Sequence, residues 1–137
     1  MEKGILREEK SPLLPKSQNG IANAKNTLRI MKNSHVIIIV LNTNAISPFK
    51  SIDSDSRITE ICDTLSIGAS VENMLLRARE LGIGSLWIAN TCFSYPELTE
   101  FLNTDFQLVC AIALGYPDEK LKQRPRKADS EIIEFRF

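Results

Sequence analysis

Two uninterrupted apolar runs along the chain predict the inner strands of a sheet. They extend from Val36 to Leu41 and from Leu108 to Leu114, and polar residues or glycine bound both of them. Continuous apolar runs of this length, rich in β-branched residues in the first case, are typical of strands covered on both faces. We therefore expect two buried strands, with the first in a central position of the sheet.

A helical pattern dominates the segment from Asp63 to Leu81. Apolar residues recur there at spacings of three or four, at Ile67, Val71, Met74, Ala78 and Leu81. A polar stripe accompanies them, at Ser66, Ser70, Asn73, Arg77 and Glu80. The pattern predicts an amphipathic helix, in which the small residues Gly68 and Ala69 favour close packing against another backbone. Gly82 is expected to end this helix in a left-handed conformation, and a short strand is expected from Ser85 to Ala89.

Two shorter helices are predicted elsewhere. Four apolar residues share one helical stripe in a segment that ends near Asn33, namely Ile21, Ala24, Leu28 and Met31. Further along, Ser94 is followed three residues later by Glu97, which is the signature of a capping box at the start of a helix. Pro96 is tolerated in a first helical turn, so we expect this helix to extend to about Leu102.

The remaining segments carry weaker patterns. Residues 1–20 are poorly marked, and the prolines and the Asn-Gly pair of residues 11–20 predict a connector. The segment from Asn42 to Arg57 shows no period and predicts a long loop, which is either mobile over a site or a tolerated surface insertion. From Ile132 to Phe137, apolar and charged residues are interleaved, which predicts a strand that must pair with a sheet edge.

Composition narrows the class of protein. With 137 residues, 43% of them hydrophobic, the chain is expected to form a single domain over residues 1–137. Its 17 basic and 17 acidic residues leave a formal net charge of zero, which argues against a nucleic-acid partner. No apolar run approaches the roughly 20 residues needed to cross a bilayer, and Met1–Lys10 lacks a secretory pattern. We therefore expect no membrane association and a cytoplasmic location.

Metal binding and acid–base catalysis find little support in the sequence. The three cysteines, Cys62, Cys92 and Cys110, form no C-x-x-C pair and are expected to be reduced thiols. The single histidine, His35, has no second imidazole or nearby cysteine with which to share a metal ion. No G-x-S-x-G turn accompanies that histidine, and Glu97 is expected to face solvent on a short helix. We expect no metal site and name no catalytic side chain.

Two features invite an anion-binding interpretation. The glycines of Gly82–Gly84 follow a helix, whereas phosphate-binding glycines precede one and face its positive amino-terminal end; a helix C-cap explains them better. The second feature is a basic run near the carboxy terminus, made of Lys120, Lys122, Arg124, Arg126 and Lys127. Guanidinium groups can each donate two hydrogen bonds to a phosphate, so this run is either an anion site or a solvated basic turn.

Five segments, in a fixed order and at fixed spacing, match the motifs of a known family. They are Asp63–Leu76, Glu80–Ile88, Tyr95–Leu98, Ala113–Pro117 and Arg124–Lys127. On these segments the chain resembles the nitroreductase family of flavoenzymes. The resemblance is strongest over residues 60–134 and extends back to the strand that begins at Val36.

The resemblance implies an α+β fold with a sheet flanked by helices, in an intertwined homodimer with flavin sites at the subunit interface. It implies tightly held FMN, reduced by NADH or NADPH and reoxidised by a small-molecule acceptor such as a nitroaromatic or a quinone. The family's phosphate-binding positions fall on Arg124 and Arg126. Trp87, Ile88, Ala89 and Asn90 match the stretch along the isoalloxazine edge, where a backbone N–H near Ala89 or Asn90 would point at flavin N5 and tune it without a side-chain acid.

The chain also departs from the family pattern. Members normally begin with an Arg-Arg-Ser-x-Arg-like segment that grips the FMN phosphate, and no such segment precedes Val36. We therefore expect a nitroreductase-like fold truncated at the amino terminus, or a partial gene product. Two hypotheses of function follow: an FMN-dependent NAD(P)H oxidoreductase, and a truncated, non-catalytic module that binds flavin or mediates dimerisation.

Overall fold

The computed structural model describes residues 1–117 and 125–136, in which helices flank a three-stranded sheet. The elements, in chain order, are α1 (Glu2–Lys10), a 3₁₀ turn (Pro15–Gly20), α2 (Ile21–Asn33), β1 (Val36–Asn42), α3 (Ser54–Glu80), β2 (Gly84–Ile88), a second 3₁₀ turn (Asn90–Ser94), α4 (Tyr95–Leu102), β3 (Gln107–Gly115) and α5 (Asp129–Ile132). The expected α+β class is confirmed.

The sheet has the strand order β1–β3–β2, and both outer strands pair antiparallel with β3. Val36 lies opposite Leu114, and Gly84 lies opposite Gly115. The prediction of two apolar strands is confirmed, but the prediction that the first is central is wrong, because β3 takes that position. The apolar run of β1 reflects the cover on its two faces, and it carries no information about whether a strand pairs on one edge or on both.

Helices cover both faces of the sheet, so alternate residues of each strand enter different clusters. On one face, Val71 of α3 packs with Ile112 of β3. On the opposite face, Met31 of α2 packs against a cluster that includes Ile88 and Ala111. The sheet is therefore the middle of three layers, which explains why its strands are apolar on both sides.

Helix α3 begins nine residues earlier than the pattern predicts. The carboxylate of Asp53 caps it by accepting a hydrogen bond from the Ser56 N–H at 2.9 Å. The predicted start is wrong because the added turns carry no buried apolar stripe: Ile58 and Ile61 are exposed, while the buried Glu60 accepts a hydrogen bond from Gln107 of β3. The long loop is accordingly confined to residues 43–53.

The other end of α3 follows the prediction. Gly82 adopts a φ of 71°, its N–H donates to the Arg79 carbonyl, and the Ile83 N–H donates to the Ala78 carbonyl. This pair of bonds is the Schellman arrangement, which satisfies the last carbonyls of a helix. Gly68 faces the ring of Trp87, so it packs against a side chain where close contact with another backbone was expected.

The amino-terminal segment holds structure that the sequence pattern does not reveal. Helix α1 buries Ile5 against Phe93 of the second 3₁₀ turn, and the Ser94 hydroxyl donates to the Met1 carbonyl at 2.7 Å. Helix α4 starts at Tyr95 as predicted, but the capping box is wrong. Ser94 makes no side-chain cap bond to α4, because its hydroxyl is engaged by α1, and Glu97 pairs with Arg7.

The described part of the tail, residues 125–136, contains the short helix α5 and no paired strand. Acidic residues occupy the first turn of α5, where they favour helix formation, and the Glu131 carboxylate accepts from the Ala128 N–H at 3.2 Å. The predicted strand is therefore wrong at Ile132, which is helical, while Phe137 lies outside the described residues. Among the helices that the structure describes, none has the length and apolar character of a membrane span.

Candidate functional site

The candidate site begins where β2 ends and the chain turns away from the sheet. β2 is an edge strand, paired with β3 along one side only within the described residues. The last ladder pair joins Ile88 to Ala111, so the peptide groups of Ala89 and Asn90 lie beyond the ladder. An unpaired edge presents N–H and C=O groups to whatever binds beside it.

Trp87 provides an aromatic surface at this edge. Its side chain lies on the α3 face of the sheet with 41% of the residue exposed. A methyl group at Gly68 would lie 3.8 Å from the tip of the indole ring, so α3 supports the ring from one side. Burial raises the pKa of the Cys110 thiol, and the nearby Trp87 indole partly opposes the rise.

The other predicted ring-edge residues divide into exposed and inward-facing ones. Ala89 is exposed, whereas Ile88 is buried in the cluster beneath the sheet. The Asn90 side chain faces α2, where its Nδ2 donates to Oγ1 of Thr27 at 3.0 Å, and its buried Oδ1 has no partner among the described residues. A ligand at this edge would therefore meet the Trp87 ring and the peptide groups of residues 88–90 more than their side chains.

The arginines predicted to bind phosphate are described only in part. Arg124 lies outside the described residues. Arg126 is exposed on the stretch that leads into α5, so its guanidinium is open to a ligand. The convergence of these arginines with Trp87–Asn90 on one ligand thus stays a prediction.

Sequence reasoning missed an ion cluster that joins α1 to the second 3₁₀ turn and to α4. The guanidinium of Arg7 donates from Nε to Oε1 of Glu97 at 2.6 Å and from Nη2 to Oε2 at 3.3 Å. It also donates to the Phe93 carbonyl at 3.3 Å and to Glu8 at 2.5 Å. The sequence signal that could have indicated this cluster is the position of Gly4, Ile5 and Glu8 on one face of a short helix.

Glu8 has no exposed surface, yet its carboxylate is fully paired. Burial works to raise the pKa of Glu8, but the N–H groups of Leu14 and Leu13, together with Arg7, outweigh it and hold the pKa below its ordinary value. At Glu97, burial again works to raise the pKa, but the hydrogen bond from Arg7 helps to outweigh burial and leaves the pKa below its ordinary value. Both carboxylates are therefore ionised at neutral pH and tie α1 to its neighbours.

A second buried polar group lies at the far end of the sheet, away from Trp87. Glu60 of α3 accepts hydrogen bonds from Gln107 of β3 and from Arg57. Asn42, opposite Gln107 in the ladder, is buried, and its Nδ2 has no partner among the described residues.

His35 and the cysteines form neither a disulfide nor a metal-binding group in the part of the chain that the structure describes. The His35 ring packs edge-on against Tyr116, with ring centroids 5.6 Å apart. The three cysteines are unpaired thiols. Within the described ranges, no group of three or more His, Cys, Asp or Glu side chains is arranged to hold a metal ion.

Comparison with known proteins identifies the family. A model described as the nitroreductase family matches residues 3–116, most of the chain, including α1 and α2. The chain belongs to the nitroreductase family. The sequence resemblance is strongest over residues 60–134, whereas the family model also matches the residues before position 60, from residue 3 onward.

Two solved structures share the fold. An FMN complex of a Desulfovibrio desulfuricans protein assigned to the nitroreductases is 27% identical with a TM-score of 0.57, over 76% of this chain and 56% of that one. This chain thus spans little more than half the length of that protein. A BluB-like flavoprotein from Clostridium difficile 630 has a TM-score of 0.65 at 22% identity, over 98% of this chain and 72% of the other, and supports the fold alone.

Proposed function

We propose that the protein binds FMN at the outer edge of β2 and acts as a flavin-dependent oxidoreductase. The observation that carries this proposal is family membership over residues 3–116. It is supported by the half-exposed Trp87 on β2, an edge strand that pairs on one side only among the described residues, at the place where the family resemblance predicts the flavin ring. The FMN complex of the Desulfovibrio desulfuricans protein supports the choice of cofactor. FMN would supply the chemistry by accepting and releasing hydride.

The residues at this edge fit a flat, polar-edged ring. The Trp87 indole offers an aromatic surface, and the peptide groups of Ala89 and Asn90 offer hydrogen bonds without bulky side chains in the way. The guanidinium of Arg126 is exposed and suits a phosphate, as Arg124 would also do. Peptide dipoles held in place beside a ring can stabilise the charge that develops on it.

A second copy of the chain would complete the site. Exposed apolar residues follow the outward surface of α3, among them Ile58, Ile61, Leu65 and Leu76. A shallow groove of about 260 Å³ lies between Arg57 and Leu65 on the same surface. Exposed apolar patches of this kind mark interaction surfaces, and we propose that α3 packs on its counterpart in a homodimer.

The proposed donor is NADH or NADPH, and the proposed acceptor is a small molecule such as a nitroaromatic or a quinone. Donor and acceptor would occupy the same open face of the ring in turn, so the protein's task is to hold the ring and leave that face accessible. No side-chain acid is needed for this task. The cytoplasm, which supplies reduced nicotinamide cofactors, is the proposed compartment.

The test is to incubate the purified chain with excess FMN, desalt it and record the absorbance spectrum. We expect roughly stoichiometric yellow flavin to stay with the protein, and NADH or NADPH to bleach it under anaerobic conditions. Arg126→Met should weaken FMN binding, whereas Arg136→Met, which removes an exposed arginine from the same tail, should not. A colourless protein after desalting, with no thermal stabilisation by FMN, would refute the proposal.

The second candidate is a non-catalytic module that binds flavin or mediates dimerisation. It is favoured by the exposed apolar residues of α3, since a surface of this kind mediates dimerisation without any redox chemistry. The same experiment separates the two candidates. A protein that retains FMN but is not bleached by either nicotinamide cofactor would favour the module.

A further inference from the structure

The turn that follows β2 is held from behind by two amino-terminal helices. This turn, residues 90–94, is a single stretch of 3₁₀ helix between Ala89 and α4. Such short 3₁₀ segments have poor hydrogen-bond geometry and little stability of their own. Its conformation must therefore depend on what packs against it.

Helix α1 makes the closest approach to the turn. A Cβ at Gly4 would lie 2.4 Å from the Ser94 hydroxyl and 2.5 Å from the Ser94 Cα, so only glycine allows this contact. Thr91, Phe93 and Ser94 are all buried by the contact with α1 and α2. The turn is consequently pressed between the amino-terminal helices and the sheet.

Arg7 of α1 contacts both the turn and the helix α4 that follows it. One guanidinium edge holds both oxygens of Glu97 on α4, and the same group reaches the Phe93 carbonyl inside the turn. Its remaining amino group pairs with Glu8, which in turn accepts the N–H groups of Leu13 and Leu14. The planar fork of arginine is what permits these contacts to form together.

On the other side, α2 holds the first residue of the turn. Asn90 donates to Thr27 at 3.0 Å, which fixes the start of the turn as Arg7 fixes its end. The two anchors bracket the turn that begins directly after Ala89, and the peptide groups of Ala89 and Asn90 lie beyond the last ladder pair of β2. Binding constellations need their groups held to within about half an ångström, and supporting contacts of this kind provide that precision.

We propose that Arg7 is a positioning residue for flavin binding: by holding Phe93 and Glu97, it fixes the turn that presents the peptide groups of Ala89 and Asn90 to FMN. This inference rests on the proposed function and extends it to a side chain that does not touch the cofactor. The competing explanation is that Arg7 only stabilises the fold.

Arg7→Lys and Glu97→Gln test the proposal. Lysine keeps the positive charge beside Glu8 but cannot form the fork, and glutamine keeps the shape of Glu97 but removes its charge. Two controls accompany them. Lys25→Met removes an exposed ion pair between α2 and α1, and Ile38→Val lowers stability by trimming the apolar cluster on the α3 face of the sheet, which does not include the turn.

Two readouts separate positioning from stability. In the protein without FMN, amide exchange of residues 91–94 should accelerate about tenfold in Arg7→Lys, while exchange in the sheet changes less. FMN should dissociate about tenfold more readily from Arg7→Lys and Glu97→Gln, with a shifted absorbance band of the bound flavin. Both controls should keep the affinity and band of the unaltered protein.

If Arg7→Lys and Glu97→Gln keep the FMN affinity and the absorbance band of Ile38→Val, the inference is overturned and the proposed function stands. If the unaltered protein itself fails to bind FMN, the proposed function fails and the inference with it. The first result concerns only the variants and the second only the unaltered chain, so the two failures are distinguishable.

Discussion

Arg7 and Glu97 lie 90 residues apart in the sequence and form a two-pronged ion pair, with N–O distances of 2.6 and 3.3 Å. The pair joins α1 to α4, two helices that neither propensity nor apolar pattern would bring together. Because Glu8 is fully buried beside the same guanidinium, the three side chains act as one charged cluster where α1 meets the second 3₁₀ turn and α4.

Removing Arg7 should therefore cost more than removing an ordinary surface cation. Arg7→Met leaves the Glu8 carboxylate buried without its countercharge, and breaking a buried pair in this way costs about 3 kcal/mol. The measurement is the free energy of unfolding from urea denaturation. Lys25→Met is the matched control, because the Lys25–Glu9 pair is largely exposed, and such pairs contribute less than about 1 kcal/mol. Equal losses for both variants would contradict the account.

The same cluster should make the protein sensitive to acid. Because the folded-state pKa values of Glu8 and Glu97 lie below their ordinary value of 4.5, their contribution to stability is complete above the unfolded pKa. It is lost as the pH falls through the folded pKa values. Stability should therefore decline below about pH 5.

Glu97→Gln provides the check on that prediction. This variant has one fewer carboxyl group that must be protonated, so its stability should fall less steeply with acid than that of the unaltered protein, although it is lower at neutral pH. Urea denaturation at a series of pH values measures the slope. A slope identical to that of the unaltered protein would show that Glu97 has no lowered pKa.

Two glycines of the α3 region should respond in opposite directions to alanine. Gly82 has a φ of 71° with nothing within 4 Å of a Cβ, so Gly82→Ala is penalised by the backbone alone, by about 1 kcal/mol. Gly68 lies inside α3, and its new methyl group would meet the Trp87 ring at an ordinary 3.8 Å. Gly68→Ala should stabilise by roughly 0.5 to 1 kcal/mol. Thermal denaturation of both variants measures the difference, and the same sign for both would contradict the geometry.

The oligomeric state provides another prediction. If α3 forms a homodimer interface, Leu65→Glu should shift the protein from dimer to monomer in light scattering, since it places a charge in an apolar contact. Leu65 is 70% exposed in the single chain, so the substitution should not unfold the monomer. Leu6→Glu makes the same change on α1, where Leu6 is also exposed, and should leave the dimer intact. A monomeric unaltered protein would refute the proposed interface.

Apolar periodicity predicted the parts of the fold that bury side chains against the sheet. The three strands and α2 followed from apolar patterns, and the Gly82 cap followed from backbone geometry. Helix α4 was placed correctly, although the capping box on which its prediction rested does not form. The order of the strands did not follow from the sequence, since an edge strand and a central strand have the same apolar pattern when helices cover both faces of the sheet. Helix α1 was missed because its inward face combines Gly4 and Ile5 with Glu8, whose carboxylate is hidden by ion pairing, so no continuous apolar stripe marks the helix.

In the candidate site, too, local sequence pattern predicted less than the long-range contacts determine. Trp87 and Ala89 are exposed at a strand edge, as a ring-edge position requires, but this placement came from a family resemblance and not from any local pattern. Ser94 and Glu97 were predicted to cap α4 because their spacing fits a capping box. Tertiary contacts with Met1 and Arg7 take both side chains instead, and sequence spacing cannot anticipate such long-range partners.

The most direct test of the central claim is an amide NMR titration of the labelled protein with FMN. The chain has one tryptophan, so a single indole N–H signal reports on Trp87 without ambiguity. We predict that this signal and the backbone amides of Ala89 and Asn90 shift together and saturably, along with the Arg126 amide. Saturable binding that leaves these signals unmoved while others shift, or no binding at all, would contradict the account.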